Sequence, residues 1–167
     1  MAARRSAKAV WDNDLAKGSG HVAGTSGALP DLPVSWAART EAPGGKTSPE
    51  ELLAAAHASC FSMALSAALG RAGTPPTRLQ VTAEVTFDKV GEAWTVTTSQ
   101  LQVVGKVTGT DAAKFAEAAK GASENCPISR ALGTVNIPMG IEAGVSIVLL
   151  AIVLDRVFRN PERKGSA

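Results

Sequence analysis

The sequence predicts an α+β fold, and three observations carry that reading. A long alanine-rich apolar segment sits between two groups of candidate strands. Two stretches after it alternate apolar and polar residues with strand period. The remaining helical segments follow the strands as a run instead of alternating with them.

Taken in order, Ala7 to Trp11 and His21 to Thr25 read as short strands, separated by the turn-forming Lys17-Gly18-Ser19-Gly20. Pro33 leads into Val34 to Thr40, a third candidate strand, and Gly44 and Gly45 end the sheet-like region. A helix then starts at Ser48-Pro49-Glu50-Glu51: Ser48 caps, Pro49 takes the first helical position, and Glu51, three residues past the cap, completes a capping box. It is expected to run to about Leu69, with Gly70 and Gly73 as stops. After Pro75-Pro76, Leu79, Val81, Ala83, Val85 and Phe87 share one strand face, Gly91 marks a hairpin, and Trp94 to Val107 forms the partner strand. Thr110-Asp111 opens an amphipathic helix with Ala112, Phe115, Ala116 and Ala119 at helical spacing, ending near Gly121. Asn125-Cys126-Pro127-Ile128-Ser129 is a loop-to-helix junction with Pro127 placed to begin a short helix, and Val135 to Ile137 is a candidate last strand.

The chain has 167 residues, enough for one domain and short for two. Seventeen Lys and Arg against fifteen Asp and Glu leave a net charge of +2 that is spread along the chain, so no nucleic-acid partner is implied. With 45% hydrophobic and 19% charged residues the chain is not globally disordered, and two cysteines do not make a disulfide scaffold. No apolar signal-like run follows the basic start, which makes a cytoplasmic protein the expectation.

Two apolar stretches test for membrane contact. Leu52 to Leu69 is apolar on nearly every face and suits a fully buried helix. Gly144 to Leu154 has a core of about eleven residues against the roughly twenty a bilayer needs, so it is expected to pack on protein as a strand or helix. The basic residues after it, Arg156, Arg159, Arg163 and Lys164, are the kind that flank membrane anchors.

Chemistry rests on few residues. Cys60 lies within the apolar helix and Cys126 beside Pro127, 66 positions apart, which excludes a C-x-x-C motif and leaves too few companions for a structural zinc site. Inert buried thiols and a redox pair both remain open on this ground. His57 and Cys60, at i and i+3, share a helix face, and a core histidine is a better reading there than half of a metal site.

Thr47-Ser48-Pro49-Glu50-Glu51-Leu52-Leu53-Ala54-Ala55-Ala56-His57-Ala58-Ser59-Cys60-Phe61-Ser62-Met63-Ala64-Leu65, followed far downstream by Asn125-Cys126-Pro127-Ile128-Ser129, closely resembles the OsmC subfamily of the OsmC/Ohr family of thiol peroxidases. The resemblance runs from about Lys8 to Ile137 and tips the two-cysteine question toward redox chemistry. It implies an OsmC-like intertwined homodimer, with six-stranded sheets wrapped around two central helices and two active sites at the interface. It also implies reduction of organic hydroperoxides to alcohols, in oxidative and osmotic stress defence. By motif, Cys60 would be the peroxidatic nucleophile, Cys126 the resolving cysteine, Glu50 the carboxylate of the Pro-Glu element and Arg39 the cation of the Ala-Arg-Thr element. An external dithiol of lipoyl or thioredoxin type would reduce the enzyme, without metal or cofactor. Phe61, Met63 and the neighbours of Leu65 would line an apolar substrate pocket. A dimeric small-molecule or lipid-binding module of the same fold is the alternative.

Physical reasoning adds two expectations to the resemblance. Apolar burial raises the pKa of Cys60, so a cation is needed to hold its thiolate, and an arginine fixed by a carboxylate serves best. Glu50 and Cys60, ten positions apart on one helix, are separated by roughly 15 Å, so Glu50 and Arg39 should serve the cysteines of the other subunit. Residues 1–137 form the OsmC-like domain in this reading. Residues 138–167 are an atypical tail, apolar and then basic, that resembles the end of an inner-membrane permease of the glycine betaine transporter type.

Overall fold

The computed structural model describes residues 2–133, together with the backbone of 141–144 and 147–155. The chain divides into two compact units, residues 1–52 and 53–167, within which the elements are built.

In the first unit, β1 (Ala7–Asp12) pairs antiparallel with β2 (Ser19–Gly24), from Ala7 opposite Gly24 to Asp12 opposite Ser19, and β2 pairs with β3 (Leu32–Val34). The expected third strand over Val34 to Thr40 is not formed. The chain leaves the sheet at Ser35, whose hydroxyl accepts the Ala38 N–H at 3.2 Å and caps the short helix α1 (Trp36–Thr40). A serine cap followed by two alanines outweighs a weak alternation. The return is pinned by the Thr47 N–H, which donates to the Pro33 carbonyl at 3.0 Å, immediately before α2 (Pro49–Arg71).

At the start of α2 the Ser48 hydroxyl accepts the Glu51 N–H at 3.1 Å. The capping box is only half formed, because the Glu51 carboxylate accepts from the Thr47 hydroxyl. That hydroxyl is nearer to hand and itself nearly buried, so its bond replaces one to a backbone N–H.

In the second unit, α2 continues and leads into a long hairpin of β4 (Pro76–Val90) and β5 (Ala93–Val107), closed by a two-residue loop in which Gly91 adopts φ 61°. Leu79, Val81, Ala83, Val85 and Phe87 lie on the shielded face of β4 while their neighbours are exposed, the alternation that the sequence predicts. Ser99, Leu101, Val103, Gly105 and Val107 form the buried face of β5. Asp111 caps α3 (Ala112–Asn125) by accepting the Lys114 N–H at 2.8 Å. This helix continues four residues past Gly121, because burial of Ala122 and Ser123 offsets the roughly 1 kcal/mol that a glycine costs in a helix. Cys126 then ends α3 and begins α4 (Pro127–Leu132).

The core of this unit joins three elements. Phe61, Leu65 and Leu69 come from α2, Leu101, Val103 and Val107 from β5, and Phe115, Ala116, Ala119 and Ala122 from α3, with Cys126 at the end of the cluster. The buried positions of α2 here are His57, Phe61, Leu65 and Leu69, spaced four apart along one stripe. A helix buried on every face is therefore not what a single chain makes.

Beyond Gly133, the backbone of β6 (Ile141–Gly144) and β7 (Ile147–Asp155) extends the second sheet, in the order β4-β5-β7-β6. The Gly144 to Leu154 stretch is thus mainly strand, paired antiparallel to β5 from Lys106 opposite Ile147 to Thr98 opposite Asp155. The expected strand at Val135 to Ile137 lies outside the described residues. Among the described residues the strands form a three-stranded sheet in the first unit and a four-stranded sheet in the second.

Candidate active site

Two polar clusters contain the four residues singled out by motif. In the first unit, Arg39 at the end of α1 meets Glu50 in the first turn of α2. Arg39 Nε donates to both Glu50 oxygens at 3.0 Å, and Nη2 donates to Oε1 at 2.7 Å. The two-pronged contact holds the guanidinium plane in one orientation. Glu50 is buried, whereas Arg39 keeps 29% of its side chain exposed and lies 5.9 Å from the Trp36 ring centroid. The guanidinium is oriented by the protein and partly exposed.

In the second unit, Cys60 on α2 and Cys126 at the α3–α4 junction are both free thiols, and Cys126 Sγ donates to Cys60 Sγ at 3.1 Å. A disulfide needs an approach of only about 1 Å more. Cys126 has no exposed surface, while Cys60 is half-buried, so a reagent from solvent meets Cys60 first.

The two thiols ionise as a pair. Burial pushes Cys60 up, and its contact with Cys126 adds to the shift. Burial also opposes ionisation of Cys126, but the Ser129 hydroxyl, the Ser129 and Ile128 N–H groups and Cys60 together outweigh it, and the Cys126 thiol is held below its ordinary value. Within one chain the negative charge therefore favours Cys126. Moving it to Cys60 calls for a cation beside that sulfur.

His57 completes the cluster. It is fully buried, with Nδ1 2.7 Å from Ser99 Oγ on β5 and Nε2 2.9 Å from Ser129 Oγ on α4. Burial lowers its pKa to about 4, so the imidazole is neutral at physiological pH. Among the described residues no three His, Cys, Asp or Glu side chains converge as a metal site would require. Ser129 belongs to the Cys-Pro-Ile-Ser motif, but its role had no signal of its own, and nothing in the sequence marked Ser99, which reaches His57 from a strand 42 positions away.

The residues expected to line an apolar pocket lie on different faces of α2. Phe61 and Leu65 point into the core with no exposure, and Met63 is 66% exposed on another face of α2. An open groove of about 550 Å³ lies between the end of α2 and α3, lined by Leu69, Arg71, Lys114 and Asn125 among others, and contains neither sulfur.

Comparison with known proteins bears on the family. Residues 42–142 match the family model described as OsmC-like protein. The chain is 41% identical over 132 residues to Peroxiredoxin OsmC of Escherichia coli K12, covering 79% of this chain and 92% of that one, and the Shigella flexneri protein of the same name matches equally. Among solved structures it resembles the organic hydroperoxide resistance protein OhrB of Bacillus subtilis, with TM-score 0.57 and 25% identity over 75% of this chain and 89% of that one. An organic hydroperoxide resistance protein OsmC from Legionella pneumophila gives TM-score 0.58 and 26% identity over 78% and 91%. The fold, the motif-bearing helix and the family match over more than half its length together establish that the chain belongs to the OsmC family.

Proposed function

We propose that this OsmC-family chain is a thiol peroxidase that reduces organic hydroperoxides to alcohols, with Cys60 as the peroxidatic and Cys126 as the resolving cysteine. The observation that carries the reading is the pair of free sulfurs 3.1 Å apart, one reachable and one buried. Its likeness to proteins named peroxiredoxin and organic hydroperoxide resistance protein supports the substrate class.

The Cys60 thiolate attacks the distal peroxide oxygen. The O–O bond breaks, the alkoxide leaves and takes a proton to become the alcohol, and Cys60 becomes a sulfenic acid. The Cys126 thiolate then attacks Cys60 Sγ, the S–O bond breaks, and hydroxide leaves as water after taking a proton. An external dithiol restores both thiols.

The first step needs negative charge on Cys60, against the preference within one chain. A cation at about 4 Å supplies about 4 kcal/mol at an effective dielectric constant near 20, which favours the thiolate at Cys60. Glu50 and Cys60 share α2, where ten positions span roughly 15 Å, so we assign that cation to Arg39 of a second subunit, oriented by its own Glu50. The active form is then a homodimer. A cytoplasmic location accords with this chemistry, because the cycle needs thiols kept reduced between turnovers.

Reduced protein titrated with cumene hydroperoxide and followed by intact mass is expected to lose two hydrogens. Cys126→Ser is expected to gain one oxygen instead, and Cys60→Ser to show neither change. Failure of the unsubstituted chain to consume peroxide would favour the binding-module alternative.

Residues 1–137 are taken as the catalytic unit. The dithiol and the groups bonded to it all precede Leu132, so a chain ending at Ile137 is expected to keep the two-hydrogen loss. Loss of that reaction in a folded truncated chain would make β7 part of the unit.

A further inference from the structure

Glu50 sets the orientation of the Arg39 guanidinium from one edge, through Nε and Nη2, with bonds of 2.7 to 3.0 Å. Such bonds strongly resist sliding within the guanidinium plane. They resist tilting out of it weakly, because a hydrogen bond loses little energy over a small bend. A stiff pose therefore needs a second contact, against the face of the group.

Trp36 makes that contact. Arg39 Cζ stands over its ring, 5.9 Å from the centroid, within the range at which a guanidinium is attracted to an aromatic face. The local sequence dictates the placement. Ser35 caps α1 so that Trp36 is its first residue, and Arg39 follows three positions later on the same side of the turn. The far end is tied as well: the Thr40 hydroxyl donates to the Trp36 carbonyl at 3.0 Å, and the Glu41 N–H donates to the Ala37 carbonyl at 2.8 Å. A helix of about one turn is marginal alone, and these bonds at both ends hold the indole and the guanidinium in one relation.

We propose that Trp36 is a positioning residue for the peroxidase, its indole face and the Glu50 carboxylate together clamping the Arg39 guanidinium in the pose it presents to the Cys60 thiolate of the other subunit. The proposal rests on the reading of Arg39 as the cation for that thiolate. Trp36 touches no reacting atom and acts through Arg39. An arginine side chain loses rotamer freedom when it pairs with a thiolate, and one already held at edge and face has less left to lose. The neutral character of the indole matters equally. A second carboxylate against the guanidinium would hold it as firmly but would offset its charge, whereas an aromatic face adds order and leaves the field at the thiolate in place.

Alkylation of Cys60 by iodoacetamide in the full-length Cys126→Ser chain, at a pH below the Cys60 pKa, reads the thiolate fraction without peroxide. Trp36→Leu, which keeps an apolar group and removes the aromatic face, is expected to slow alkylation about two- to fivefold, and Trp36→Phe to restore most of the rate. With Arg39→Ala also present, Trp36→Leu is expected to change nothing further, because no guanidinium is left to hold. Equal slowing in both backgrounds would show that Trp36 only supports the fold and would overturn the proposal, as would an unchanged rate with Arg39 present. If circular dichroism shows that Trp36→Leu does not fold, Trp36→Met, which fills irregular space more adaptably, takes its place in the same cycle. An Arg39→Ala chain that alkylates as fast as its parent would defeat the assignment of Arg39 to Cys60, and the clamp with it. A chain that passes the cycle but consumes no peroxide would defeat the peroxidase reading alone.

Discussion

His57 is fully buried with both ring nitrogens occupied by hydroxyls, and this makes the fold itself pH-sensitive. Its pKa falls from 6.5 in an unfolded chain to about 4 in the fold, so between those values the unfolded state binds more protons. The stability that the neutral imidazole contributes is present above about 6.5 and is lost as pH falls toward 4. A shift of this size corresponds to about 3 kcal/mol. Urea unfolding of the reduced chain is expected to show that loss between pH 6.5 and 4. In His57→Gln, which cannot titrate, the fall over the same range should be smaller by about that amount. An equal pH dependence in the two chains would mean that the imidazole is not held neutral. The cysteines were legible from sequence because motif and residue type coincide, and His57 was legible as a core histidine. Ser99 was not, because a serine on an alternating strand looks the same whether it faces solvent or a buried ring.

At the scale of elements, β5 and α3 meet at Gly105. A Cβ built on Gly105 would lie 2.6 Å from Phe115 Cε2, 2.8 Å from Cζ and 3.2 Å from Leu79 Cδ2. Phe115 is fully buried in the cluster that also holds Phe61 and Leu101, so its ring has no free direction in which to turn. Gly105→Ala is therefore expected to destabilise by about 1–3 kcal/mol, read as a lower denaturation midpoint with an unchanged slope. Adding Phe115→Leu, which shortens the obstructing ring, should recover part of the loss relative to Phe115→Leu alone; strict additivity of the two changes would place the cost elsewhere. Most elements were legible where the pattern was long. The alternation of β4 and β5 and the cap of α2 reported themselves directly, because each repeats one physical signal over many residues. The failures lie in short or competing signals. Ser35 turned an expected strand into α1, and Gly121 failed to stop α3 because the residues beyond it are buried. The chain past Ile137 carried no pattern that announced a pairing with β5.

At the scale of the whole molecule, α2 combines a composition that suits complete burial with burial on only one stripe. The helix has a mean hydropathy of 1.6 over its most apolar window, of which 22% is buried within the chain, and by length and composition alone it could cross a membrane. Ala55, Met63 and Ala67 on its other faces are exposed. Exposed apolar area of this kind marks an interface. A bilayer would leave the first turn, with Glu50 paired to Arg39, and the His57 hydrogen bonds at odds with lipid, whereas a second α2 meets the alanine-rich faces without disturbing either. The proposed homodimer would also bring a cation from the second subunit to Cys60. Met63→Glu places a carboxylate on the exposed face while leaving the Phe61, Leu65 and Leu69 stripe intact. Analytical ultracentrifugation is expected to show a dimer for the unsubstituted chain and a monomer for this variant. The monomer should keep two titratable thiols and still form a disulfide with a chemical oxidant, yet lose turnover of cumene hydroperoxide at least a hundredfold, since a charge lost from beside a thiolate removes roughly 3 kcal/mol or more of stabilisation. A monomer with full turnover would show that each chain supplies its own cation, and the assignment of Arg39 to the partner site would fail even though the dithiol chemistry stood.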